Sequence, residues 1–380
     1  MSSRERTPLS RLYADYRAGS LDRRAFLRQA VAAGMALPIA LHAVNSVAAQ
    51  TPVAGVPDTG MEGRSRGEGG ELRILQWQAP TALSQHSALG GKDNLAATLV
   101  LEPLMNFLSD ATIVPRLVTE VPSHENGLLA DDNTSVTYTL REGVTWSDGE
   151  PFTAEDVRFT WEFATNPDNS ATTFELYNVI SDVEVEGDLT ARLVFAEPQP
   201  AWYLPFSGSW WGAVLPRHVL EGGGADAYQQ FLTSPIGTGP YVVESFTPVD
   251  QVTYVANENY RDPNKPFFSK VLLKGGGDAA SAARAVLETG EYDYAWNLQV
   301  EPDVLAEMAE GGQGQLVVIP GTSVERININ FSDPDTEVDG QRSEMNTPHP
   351  FLTDPAVREA LNLACNRQLI SEEFYGEGQP

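Results

Sequence analysis

The feature that most constrains this chain is a change of hydrophobic period within residues 136–164. Val136, Tyr138 and Leu140 alternate with Thr137, Thr139 and Arg141, the period of two that a half-buried strand requires. Asp148-Gly149 then supplies a turn, and the spacing becomes helical, with Val157, Trp161 and Ala164 on one stripe. Thr153 stands where an N-cap belongs, and Asp156 three residues later completes a capping-box pattern. The stretch therefore predicts a strand, a turn and a helix in direct succession. Its acidic residues admit a chemical reading as well: Asp148 with Glu155 and Asp156 are the carboxylates a secreted hydrolase would use. Turn and cap account for the same three residues without chemistry.

At 380 residues the chain is long enough for two or more domains. Its formal net charge of -27 argues against nucleic-acid binding, where Lys and Arg must neutralise phosphates, and disfavours docking on anionic lipid. Cys365 is the single cysteine, so no internal disulfide and no cysteine-rich metal cluster can form. His42, His86, His124, His218 and His349 are scattered, with no pair at metal-ligand spacing. No nucleophile elbow or P-loop is present. No cofactor, metal site or catalytic residue is expected.

The amino-terminal region has the features of an export signal. Twin arginines, Arg23-Arg24, precede an apolar run from Ala30 to Val44 that is too short to span a bilayer, and small residues Val47-Ala48-Ala49 follow. Residues 1–49 read as a twin-arginine signal peptide, which implies the twin-arginine export machinery as a partner. No Cys sits at the cleavage position, so no lipid anchor is indicated, and the expected location is periplasmic or secreted. Residues 50–70, rich in Gly, Pro and small polar residues, read as a flexible linker.

Further along, Leu72 to Gln76 alternate as a strand, and the loop Ala88-Leu89-Gly90-Gly91-Lys92 leads into an expected helix from Asn94 to Met105. Val183 to Phe195 reads as a hairpin turning at Gly187-Asp188, and Trp202, Tyr203, Phe206, Trp210 and Trp211 form an aromatic cluster of core type. Pro235 to Tyr241 is a constrained turn, with strands at Tyr241–Phe246, Val252–Ala256 and Lys270–Lys274 after it. Asp278 caps an Ala-rich helix that Gly290 stops. From Val324 to Phe331, Ile327, Ile329 and Phe331 alternate with Arg326, Asn328 and Asn330, a strand whose polar face must meet solvent, an ion pair or a ligand. Asp354-Pro355 opens a helix whose apolar stripe of Val357, Ala360, Leu361 and Ala364 takes in Cys365, expected as a buried, inert thiol.

The order of motifs adds to this. Leu140–Thr160 (LREGVTWSDGEPFTAEDVRFT), Pro235–Tyr241 (PIGTGPY), Asn257–Tyr260 (NENY), Gly290–Asp293 (GEYD) and Asp354–Ile370 (DPAVREALNLACNRQLI) closely resemble, in order, the signature of the family 5 extracellular solute-binding proteins. That resemblance covers roughly residues 71–380. It implies an α/β, periplasmic-binding-protein type II-like two-lobe fold with a subdomain inserted into lobe one, and a second lobe mostly missing from this chain. The implied division is 71–108 for the first part of lobe one, 109–214 for the inserted subdomain, 215–328 for the rest of lobe one and the crossover, and 329–380 for the start of lobe two. It further implies a monomer that captures a peptide-like solute between its lobes and delivers it to ABC importer permease subunits. Nickel chelates, opines or oligosaccharides are the other ligand classes, and a ligand sensor is the other role. The implied ligand-binding residues are Leu89, Gly90 and Gly91 on the first loop, Trp296 and Asn297 at a strand end, and Arg326 and Asn328 at the crossover. A Gly pair suits that loop if a ligand approaches its main chain closely.

Overall fold

The computed structural model describes residues 25, 28–29, 63–108, 110–296, 300–317 and 326–375. Apart from those three positions, the export segment expected at 1–49 lies outside the described residues, as does Asn297. The chain divides into two compact units, residues 1–276 and 277–380.

The first unit begins with strand β1 (Glu71–Gln76) and helix α1 (Gly91–Ala97), then the short strands β2 (Met105–Phe107) and β3 (Ile113–Pro115). Next come β4 (Ser135–Thr139), α2 (Ala154–Thr165), α3 (Phe174–Tyr177), β5 (Ile180–Val185) and β6 (Thr190–Phe195). Helices α4 (Arg217–Leu220) and α5 (Gly224–Phe231) lead to β7 (Tyr241–Thr247), β8 (Gln251–Ala256) and β9 (Lys270–Gly275). In the second unit lie α6 (Ala279–Leu287), β10 (Tyr294–Trp296), α7 (Pro302–Ala309), the short pair β11 (Glu337–Val338) and β12 (Gln341–Arg342), and helices α8 (Pro355–Ala364) and α9 (Arg367–Tyr375).

Two sheets organise the first unit. β1 runs parallel to β9, β9 pairs antiparallel with β8, and β8 with β7. Between parallel β1 and β9 the chain runs through nearly the whole unit, including a second sheet in the order β4-β6-β5. That second sheet is the alternating stretch of the sequence: Val136, Tyr138 and Leu140 are buried, and the hairpin turns at Gly187 with φ +71°. Val157 and Ala164 of α2 sit in the same core with Trp161 packed against it, as the helical stripe predicts. The Thr153 amide donates to Asp156 Oδ2 at 2.9 Å, the Asp156 half of the capping box. Trp202 and Phe206 join this core, with Tyr203 against it, whereas Trp210 is exposed.

The glycines of the constrained turn have a specific cause. A Cβ on Gly237 would lie 2.0 Å from the Val100 carbonyl oxygen, and one on Gly239 2.5 Å from it. The chain at 237–241 presses that closely because the amides of Gly239 and Tyr241 donate to the carbonyls of Val100 and Leu99. The same bonds explain a difference from expectation. The helix predicted from Asn94 to Met105 ends at Ala97, because the carbonyls of Leu99 and Val100 are taken up by the turn, and Met105 opens β2 instead.

Three other expectations change. Residues 63–70 do not behave as a linker: Arg66 donates to five main-chain carbonyls, those of Lys265, Asn257, Glu258, Tyr260 and Asp262, and the amides of Gly67 and Gly69 donate to Pro266 and Phe267. A guanidinium presents five donors in a fixed fork, so one side chain can hold an entire irregular loop. Residues 326–331 form no strand among the described residues: Ile327 and Phe331 are exposed, and the pairing there is limited to His349 N donating to the Phe331 carbonyl beside an isolated Ser332–Pro348 bridge. Cys365 is the half-buried C-cap of α8, and no residue of that helix is buried, although Asp354 caps it as expected by accepting from Ala356 N at 2.9 Å.

Candidate functional site

The first candidate surface is the loop between β1 and α1, and its framework rests on buried polar groups. Asp93, fully buried, accepts from the Thr81 amide at 2.6 Å, from the Ala82 amide at 3.3 Å and from the Leu89 amide at 3.0 Å, while Lys92 Nζ reaches both its oxygens at 2.8 Å. Burial opposes its charge, but the bonds from Lys92 and from the Thr81 and Leu89 amides outweigh that and hold the carboxyl below its usual range. One carboxylate thus ties both ends of the loop together.

Two further contacts secure the middle. Tyr228 OH of α5 bonds Ser84 Oγ at 3.0 Å and Ser87 Oγ at 2.8 Å. His86 is fully buried, with Nε2 2.9 Å from the Ala213 carbonyl and Nδ1 2.7 Å from Thr173 Oγ1. A carbonyl only accepts, so Nε2 carries the proton and Nδ1 accepts from the Thr173 hydroxyl. Burial lowers the His86 pKa to about 4, partly offset by the bond to Ala213. The edges of Tyr177 and Phe163 close around the ring at 5.5 and 6.3 Å.

Above this framework Leu89 stands 82% exposed, an apolar side chain on a pinned backbone. Gly90 is the extended N-cap residue of α1 (φ 171°), and a Cβ there would meet nothing within 4 Å. The fold does not require glycine at Gly90: the space a Cβ would take is empty, while its carbonyl accepts from the Asp93 and Asn94 amides at 3.1 and 3.3 Å. Gly91 is the first residue of α1. The sequence pointed to Leu89, Gly90 and Gly91 but missed Asp93, His86 and Tyr228. Asp93 at the helix start was the one available signal, since a carboxylate in a first turn often ties back to the preceding loop.

In the second unit Trp296 ends β10, half buried, next to Tyr294, which is half exposed. Arg326 and Asn328 are both exposed. Among the described residues no group of three His, Cys, Asp or Glu could hold a metal ion.

The carboxylates that suggested a hydrolase are committed to structure. Asp156 accepts from the amides of Thr153 and Arg217 and from Trp146 Nε1, and its burial raises its pKa against those bonds. Asp148 pairs with His218 Nε2 at 2.8 Å, and Glu155 with Arg158. The turn that carries Asp148 is itself docked, Ser147 N donating to the Gly237 carbonyl and Asn259 Nδ2 to the Ser147 carbonyl. The signature stretch is thus bolted to the glycine turn and to the Asn-x-x-Tyr segment.

Comparison with known proteins agrees with this frame. Glutathione-binding protein GsiB of Salmonella paratyphi A is 30% identical over 257 residues, covering 67% of this chain and 46% of the relative. The chain therefore spans about half the length of the curated relatives it matches. Among solved structures, NikZ from Campylobacter jejuni in complex with Ni(L-His) aligns with a TM-score of 0.51 at 26% identity, covering 59% of this chain and 43% of that one. MoaA from A. tumefaciens R10 in complex with mannopinic acid aligns with a TM-score of 0.55 at 25% identity, covering 64% and 48%. Residues 112–380 match the bacterial extracellular solute-binding proteins, family 5 Middle, and the chain belongs to that family.

Proposed function

We propose that this chain is the solute-capturing part of an exported binding protein that delivers a peptide-like solute to the permease subunits of an ABC importer. The observation that carries the reading is the loop at 81–93: a backbone held by Asp93, His86 and Tyr228 presents the exposed Leu89 side chain beside the uncrowded Gly90. Pre-organised backbone with one apolar projection suits a ligand that offers main-chain amides and side chains together. GsiB, by its name, binds glutathione, which is a tripeptide. Ligand selection of a closed state is the mechanism that fits such a fold.

Leu89, Gly90, Gly91, Trp296, Asn297, Arg326 and Asn328 are the proposed contacts. The protein acts as a monomer without catalytic turnover and reaches the periplasm or exterior through the twin-arginine machinery. Complexes of relatives with Ni(L-His) and mannopinic acid favour metal chelates or opines as the second ligand class. Native mass spectrometry of the protein purified from its own host, translated from the complete reading frame, tests the reading: a co-purified peptide supports it, and a sugar or a metal chelate overturns the substrate class. Trp296→Ala is expected to weaken binding of that peptide; unchanged affinity removes Trp296 from the site.

A further inference from the structure

Val249 occupies a conformation that its side chain disfavours. The Asp250 amide donates to the Thr247 carbonyl at 3.1 Å, closing a turn between β7 and β8 with Pro248 and Val249 at its centre. Val249 has φ +67°, which the third position of such a turn requires and which Gly or Asn supplies at little cost. A β-branched residue there is strained. The strain is not relieved by packing, because Val249 is 70% exposed. Its amide donates to the Pro80 carbonyl at 2.9 Å, a bond that glycine would make equally well. Neither the turn nor that bond therefore explains a valine.

Its position suggests what does. The Gly275 amide donates to the Asp250 carbonyl, so the turn lies at the carboxyl ends of parallel β1 and β9, where open α/β sheets bind ligands. From Val249 the connection to Leu89 is short: Val249 bonds Pro80, the next residue Thr81 bonds Asp93, and Leu89 bonds the same Asp93 carboxylate. Two exposed apolar side chains on strained or pinned backbone thus share one hydrogen-bonded edge.

We propose that Val249 is a specificity-determining residue that forms, with Leu89, an apolar lip receiving an alkyl or aromatic side chain of the solute. This rests on the reading of the 81–93 loop as ligand-binding, and it narrows the substrate class to peptides with a hydrophobic residue at that point. The test uses protein from the complete reading frame, with tri-leucine and tri-serine as titration probes in calorimetry. Wild type is expected to bind tri-leucine at least about tenfold more tightly than tri-serine, the effect of burying one such side chain. Val249→Gly and Val249→Asn should shrink that ratio several-fold, and Leu89→Ser should do the same. Val249→Asn should melt no lower than wild type, since Asn accepts the turn without strain. An unchanged ratio in both Val249 variants overturns the lip while leaving the solute reading intact. A lower melting temperature for Val249→Asn also overturns it, by showing that the valine serves the fold. Failure of wild type to bind either peptide overturns the peptide reading and the lip with it.

Discussion

Buried His86 makes the stability of the first unit depend on pH in a way whose sign the structure fixes. The ring is neutral, donating from Nε2 to Ala213 and accepting at Nδ1 from Thr173, and its pKa is lowered to about 4 from the ordinary 6.5. Between those two values the unfolded chain binds a proton that the folded chain refuses, so stability is fully present above about pH 6.5 and is lost as pH falls toward 4. At about 1.4 kcal/mol per unit, the whole gap amounts to about 3 kcal/mol, of which about 2 kcal/mol is lost by pH 5. The perturbation is His86→Gln, which removes the titrating group while keeping a donor and an acceptor. Urea unfolding of both proteins from pH 8 to pH 5 cancels the carboxylates they share, so the stability advantage of wild type should narrow by about 2 kcal/mol across that range. NMR of the His86 ring proton should show no titration near 6.5 in the folded protein. Parallel stability curves for the two proteins, or a His86 resonance that titrates near 6.5 while the fold persists, would refute the reasoning.

Other perturbations test the packing. Gly237→Ala forces a Cβ to 2.0 Å from a main-chain oxygen that a flexible side chain cannot yield, and should destabilise by about 3 kcal/mol or more, read as a lower urea midpoint. Glu102, 2% exposed, holds Arg261 at 2.6 and 2.9 Å, Arg116 at 3.4 Å and Thr238 at 3.1 Å. Glu102→Gln leaves two arginines without their carboxylate and should cost about 3 kcal/mol; a loss below about 1 kcal/mol would mean that solvent reaches them. Asp93→Asn should release the Leu89 loop, detected as faster proteolysis at 81–93 with the cores of the unit still protected from hydrogen exchange. In wild type the Asp93 tie should persist until pH falls below the ordinary carboxylate range, because its folded pKa is lowered.

The local elements were legible because local physics decides them. Alternation gave β4, the Asp148-Gly149 turn and capped α2 followed from side-chain chemistry within four residues, and Asp278 and Asp354 cap α6 and α8 where the sequence puts them. The order of motifs along 140–370 was enough to indicate the family. Leu89 and Gly90 were legible as a loop for the same reason, glycines before an acidic helix start marking an exposed connection, whereas Gly91 already opens α1.

What the sequence left open is what depends on distant backbone. Pro103, which has no amide to offer the Leu99 carbonyl, was the local sign that the helix could not run to Met105; that the carbonyls of Leu99 and Val100 are instead taken by the amides of Tyr241 and Gly239 depends on distant backbone. Residues 63–70 have linker composition, yet the Arg66 guanidinium finds five carbonyls almost 200 residues away and turns them into structure. Residues 326–331 have the period of a strand but pair with no strand among the described residues, because alternation specifies which face is apolar and cannot supply a partner. The sequence by itself determined β4, capped α2, the caps of α6 and α8, and the family. Tertiary structure alone decided that Asp93, His86 and Tyr228 converge under one loop and that Val249 stands strained at its edge, because hydrogen bonds between buried groups form between whichever residues the fold brings within 3 Å, whatever their separation along the chain.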